Sequence, residues 1–324
     1  MGHQVTGLGS GTFRGLFAVL CTALALGGCD LPEPGAAPPA PALTDSPPPD
    51  PTVTPLDDET RIATAYYARI EAGYLSRGQL RTDGGGADTP FTATDLARNV
   101  VAIAFHDEFS ETGGRLVASN RENRLHRWAQ PIRLAVEFGA SVPLDQRRAD
   151  RSAIQSYIAR LSRLSGLPIR LVADRPNFLV LIENPPERRA LGARIRVFRP
   201  GTSEAAIRSV VAMAPTTYCT AFSYTAGDSG RYDRALAVIR GELPDLMRQA
   251  CIEEEIAQAL GLVNDSPRAR PSIFNDDQEF ATLTRQDELM IRLLYDARLR
   301  PGISLDEARP LIDIIAAELH PGDS

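Results

Sequence analysis

Three consecutive glutamates, Glu253, Glu254 and Glu255, are followed at helical spacing by Gln258, Gly261 and Asn264, with Asp265 next in line. Residues four apart lie one above the other on a helix, so Glu254 and Gln258 share a face. Two carboxylates in one site can divide the roles of general acid and general base. The oxygens of Glu254, Gln258, Asn264 and Asp265 also suit calcium, a hard cation that accepts several oxygen ligands. Zinc is poorly served: its sites use Cys, His and carboxylate, and Gln258 and Asn264 offer only neutral amide oxygens. His106 and His126 lie far upstream and His320 near the end of the chain. The expected arrangement is a polar network in which Gln258 and Asn264 donate to Glu254, with no metal bound; calcium is the exception kept open. Other candidates are weaker. Gly84 to Gly86 lacks a phosphate-loop lysine, and Ser229 has no positioned histidine.

Periodicity places these residues. A run spaced i, i+4, i+7, i+8 and i+11 (Ile252, Ile256, Ala259, Leu260, Val263) predicts a helix from Pro244 to Leu262, carrying the glutamates. Ile132 to Phe138 alternates as a half-buried strand. Asp145 to Ser165 reads as an amphipathic helix, with Gly166 suited to its C-terminal cap. Ile169 to Val172, Phe178 to Ile182, Thr216 to Tyr224 and Ala235 to Ile239 read as further strands. Thr284 with Asp287, and Ser304 with Glu307, mark the starts of two C-terminal helices. Upstream, Ile62, Tyr66, Ile70 and Tyr74 recur four apart in a helix from Glu59 to Arg77. A second helix is expected from Asp95 to about Asp107, starting after Thr94. Trp128, the only tryptophan, is expected as a core anchor.

The ends of the chain speak about location. Leu16 to Leu26 is apolar but too short to span a bilayer. Leu26-Gly27-Gly28-Cys29 resembles the bacterial lipobox, which implies that residues 1–28 are a signal peptide and that Cys29 is lipidated. Asp30 points weakly to retention at the inner membrane. Residues 29–56 form a proline-rich tether with too little apolar surface to fold alone. The expected site is the periplasmic side of a bacterial membrane, held by the lipid anchor. Of the four cysteines, Cys219 and Cys251 remain free of the signal segment and the anchor, and in an oxidising compartment they read as a disulfide rather than two buried thiols. The net charge is −6, and all the basic residues are arginine. An acidic chain outside the cytoplasm gives no support for nucleic-acid binding.

From Glu254 to Asn264 the chain resembles the zinc helix of the metzincin metallopeptidases, matrixins in particular, whose pattern is His-Glu-x-x-His-x-x-Gly-x-x-His. Glu255 stands at the general-base position and Gly261 matches the glycine, while Glu254, Gln258 and Asn264 replace the three zinc histidines. Ser272-Ile273-Phe274-Asn275 resembles the Met-turn, with Phe274 in the methionine's place. The resemblance covers residues 131 to 296. The whole chain also resembles a family of proteobacterial lipoproteins known only as a domain of unknown function. Together these imply an α+β fold: a zincin-like mixed sheet with an active-site-type helix, residues 128–324, preceded by a helical segment, residues 57–127. They imply a non-catalytic module that binds a peptide or an envelope protein. The alternative is a hydrolase using Glu255 with an unconventional metal site.

Overall fold

A computed structural model describes residues 54–225 and 227–321. The expected signal peptide, the expected lipidation site Cys29 and the expected tether up to residue 53 lie outside the described residues.

The chain begins with α1 (Asp58–Ser76), capped by the Asp57 carboxylate on the Thr60 amide at 2.7 Å, and α2 (Ala93–Ala104). A hairpin follows, β1 (His106–Thr112) and β2 (Arg115–Glu122), and then the short β3 (Arg127–Trp128). The sheet and its first crossings are β4 (Ile132–Phe138), α3 (Leu144–Ser165), β5 (Ile169–Leu171) and β6 (Phe178–Glu183). Three short helices, α4 (Pro185–Arg189), α5 (Gly192–Phe198) and α6 (Glu204–Val211), lead to β7 (Cys219–Thr225) and β8 (Arg231–Arg240). The chain ends with α7 (Asp245–Gln258), α8 (Arg285–Leu294) and α9 (Leu305–Leu319).

The six-stranded sheet runs β5-β4-β6-β8, with β3 paired to the start of β8 and β7 along the rest of β8. Every pairing in it is parallel except β7 with β8. Parallel strands need crossover connections and bury both faces, which explains why β6 is buried at every residue. The alternation is clean. Phe178, Val180 and Ile182 enter the larger core with α2, α3, α7, α8 and α9, whereas Leu179 and Leu181 enter a second core under α5 and α6. The mixed sheet was legible, but helices and strands alternate along the chain, so the class is mixed α/β rather than α+β.

Several local expectations hold. α3 ends at Gly166 with φ 70°, and capping boxes start α8 at Thr284/Asp287 and α9 at Ser304/Glu307. Trp128 is fully buried. Others are corrected. α2 starts after Thr92, whose side chain and Asp95 form the capping box, and it ends at Ala104; Asp107 lies in β1. α7 stops at Gln258, not Leu262. Only the second half of the Ile62/Tyr66/Ile70/Tyr74 stripe packs against the core, through Ile70 and Tyr74; Ile62 is 70 % and Tyr66 41 % exposed, and Tyr67 is buried instead, its hydroxyl donating to Pro215 O at 2.9 Å. The β1–β2 hairpin and α4 to α6 had no counterpart in the sequence reading.

Cys219 and Cys251 form a disulfide with Cα atoms 5.8 Å apart, tying the first residue of β7 to the middle of α7. The sequence separation is 32, and a crosslink closing a loop of that size contributes about 3–4 kcal/mol. Replacing both cysteines by serine is therefore expected to lower the thermal midpoint by roughly 6–16 °C; calorimetry showing no change would mean that the link constrains nothing in the unfolded chain.

Candidate functional site

A cleft runs along the free edge of β7. α7 forms its back wall and the β1–β2 hairpin stands opposite. It comprises two adjoining cavities of about 320 Å³ each, sharing Glu108, Phe109, Ala221 and Gln258. One, beside residues 216–221, contains Glu108, Glu254, Glu255, Asp265 and Asp276. The other, beside residues 221–225, contains Asp107, His126 and Tyr232.

The three glutamates of α7 have separate fates. Glu253 points away: its carboxylate accepts from Leu283 N at 2.9 Å and Gln249 at 3.3 Å, and lies 3.8 Å from Arg160. Glu254 is half-buried and faces the cleft. Glu255 also lines the cleft, is only 4 % exposed, and its Oε2 has no hydrogen-bond partner.

The chain then turns sharply. Trp128 Nε1 donates to Ala259 O and Tyr295 Oη to Leu260 O, both at 2.8 Å, taking up carbonyls that a longer helix would have used itself. Gly261 follows with φ 127°, and a Cβ there would lie 2.5 Å from His126 O. Only glycine fits. The turn delivers Asn264 to the end of α2, where its N–H donates to Ile103 O at 3.1 Å and its side-chain amide to Ala102 O at 2.9 Å. The expected donation from Gln258 and Asn264 to Glu254 is therefore not made. Gln258 reaches Asp265 at 3.4 Å, and Asn264 is occupied on α2. These neutral amides do not fit zinc. Among the described residues no three His, Cys, Asp or Glu side chains gather closely enough to hold a metal ion.

The segment Ser272–Asn275 is tied to the start of α8. Asp287 accepts from Ser272 Oγ at 2.6 Å, Ile273 N at 3.1 Å and Thr284 N at 2.8 Å, and Phe274 is fully buried. Burial lifts the Asp287 carboxyl to about 6 against those hydrogen bonds.

Glu108 on β1, His126 before β3 and Asp276 were not connected with the glutamate helix by the sequence. Their approach is tertiary. The one available signal was Gly113-Gly114, a two-residue turn with both φ positive (58° and 70°), which folds the β1–β2 hairpin and carries Glu108 over the cleft.

The family profile of a protein of unknown function, DUF2927, matches residues 93–314. The chain belongs to the DUF2927 family. The match takes in α2, the hairpin, the whole sheet and α7, so every lining residue of the cleft except Tyr74 of α1 falls within the DUF2927 region. None of the curated proteins compared with the chain is similar to it.

Mutual repulsion in a partly dry site marks the cleft carboxyls. Burial, then Asp265 and Asp276, push Glu108 up to about 8. Burial and Asp276 push Asp265 up to about 7. Glu254 and Glu255 are raised well above the carboxylate range, first by burial. Burial lowers His126, with Asp107 opposing. A carboxyl that holds its proton longer in the folded state favours folding at acid pH, and that contribution is lost as pH rises through the folded value. For Glu108 the window runs from 4.5 to about 8. The thermal midpoint should thus fall between about pH 5 and about pH 8.5. Glu108→Gln should raise it at the alkaline end and leave it nearly unchanged at the acid end. A variant equally destabilised at both ends would show that Glu108 is held by interactions rather than strained by repulsion.

Proposed function

We propose that this DUF2927 protein is a lipid-anchored envelope protein whose zincin-like scaffold holds an extended polypeptide along β7 without cleaving it. The observation that carries this reading is the free edge of β7. Arg240 N donates to Tyr218 O at 3.3 Å, and antiparallel pairing alternates, so the backbone groups of Thr220, Phe222 and Tyr224 turn toward β8. Those of Cys219, Ala221 and Ser223 turn outward into the cleft. Among the described residues no other strand pairs there. A strand added to this edge would gain main-chain hydrogen bonds, with the cavities receiving its side chains.

Further support comes from the amide substitutions at the metal-ligand positions and from the Cys219–Cys251 disulfide, which suits an oxidising compartment. The lipobox-like run ending at Cys29 supports the anchor. Support for a scaffold of the zincin kind comes from the glutamate helix behind the one antiparallel edge strand, with a glycine turn after it.

Two measurements check the reading. The full chain, panned against a displayed heptapeptide library, should enrich a sequence set that Ala221→Pro does not retain. Proline there removes an outward N–H and spares the β8 ladder. A synthetic version of the enriched peptide should be recovered intact after prolonged incubation; a cleaved peptide would move the protein to the hydrolase reading with Glu255 as its base. Separately, Cys29→Ser should shift the protein from the membrane fraction to the soluble one. Retention in the membrane without acylation of the N-terminal peptide by mass spectrometry would remove the anchor.

A further inference from the structure

We propose that the carboxylate cavity beside the start of β7 is a specificity pocket for one cationic side chain, arginine in preference to lysine, of the polypeptide held along that strand. The inference rests on reading the cleft as a peptide site and adds what the site selects.

Five carboxyls from three parts of the chain line the cavity: Glu108 from the hairpin, Glu254 and Glu255 from α7, and Asp265 and Asp276 from the segment after it. Among the described residues that line it, none is basic. Two buried carboxylates elsewhere in the fold are answered by arginine. Asp150 is gripped by Arg248 at 2.9 Å, and Glu242 lies between Arg188 at 3.2 Å and Arg240 at 2.8 Å. In the cleft, Glu255 is as deeply buried as these, yet its Oε2 has no partner. A buried carboxylate left unpaired is costly, and a cation held in the adjoining cavity offsets that cost.

The spread of the carboxyls chooses the cation. They do not converge as metal ligands. A guanidinium instead presents five N–H donors over a plane and reaches several separated acceptors at once. Tyr74 and Tyr218, whose hydroxyls lie 3.1 Å apart, line the same cavity and add aromatic surface to its wall, where the Tyr74 ring already carries the Arg77 guanidinium. Arginine uses aromatic surface better than lysine does. The position is set as well: residues 216–221 border this cavity, so the cationic residue lies opposite the first half of β7 and the remainder runs past Phe222 toward His126.

The test is fluorescence anisotropy of the full chain with four labelled peptides, Ala-Thr-Val-Xaa-Val-Thr-Ala, where Xaa is Arg, Lys, norleucine or Glu. The expected order is Arg, Lys, norleucine, Glu, with arginine about 30-fold tighter than norleucine. Glu255→Gln, and independently Glu108→Gln on a different wall, should bring the arginine peptide down toward the norleucine level. Equal binding of all four peptides would overturn the pocket and leave the strand reading standing. Binding of none would sink both. Stoichiometric calcium uptake that expels the arginine peptide would also overturn the proposal, because the carboxyls would then be a metal site.

Discussion

Glu255 sits on the buried side of α7 with a carboxylate oxygen that touches no donor. Its surroundings are acidic, and a charge held in such a place is strongly disfavoured unless a proton or a cation arrives. The other parts of the cleft follow from tolerating this. The walls must be rigid enough to keep Glu108, Glu254, Glu255 and Asp265 near one another against their repulsion. Three devices supply the rigidity: the disulfide between strand and helix, the Trp128 and Tyr295 bonds that end α7, and the Asp287 carboxylate that ties the 272–275 turn to α8. Buried arginine–carboxylate pairs occur at Asp150 and Glu242, and among the described residues no arginine lines the glutamate cavity; burial among other carboxyls is shared by Glu183, lifted to about 7 beside Glu187 and Glu137.

The fold keeps this strain away from its main core. β6 is sealed on both faces by apolar side chains, as is β8 along Ala235–Ile239, and their alternation leaves little room for register error. The cleft lies at the antiparallel margin of the sheet, where a strand has one side unpaired and a repelling wall can be accommodated without opening the interior.

Much of the framework was legible because local rules and burial agreed. α3 has a stripe and a glycine cap, β6 is an unbroken apolar run, and Thr284/Asp287 and Ser304/Glu307 are short-range capping signals. The pairing of Cys219 with Cys251 was legible from compartment logic. What failed was decided at long range. Ala259, Leu260 and Leu262 are good helix formers, and α7 stops short of them because Trp128 and Tyr295, distant in sequence, take its last carbonyls. Asn264 stood at a ligand spacing but is claimed by α2. The β1–β2 hairpin has too few buried residues to show a hydrophobic alternation, so Glu108 could not be placed. Of the site, the sequence found Glu254, Glu255, Gln258 and Asp265, the residues of one contiguous stretch, and missed those that only the tertiary fold brings to it.

The disulfide also acts as a check on strand register. Side chains alternate across a sheet, so sliding β7 by one residue along β8 would send Cys219 to the face of α5 and α6, out of reach of Cys251 on α7. The same slip would exchange the amides that face β8 with those that face the cleft. Oxidation can therefore seal only a chain whose edge already presents Cys219, Ala221 and Ser223 outward. The covalent bond proofreads the register of β7 on β8, and a molecule that has formed it has its outward edge correctly set.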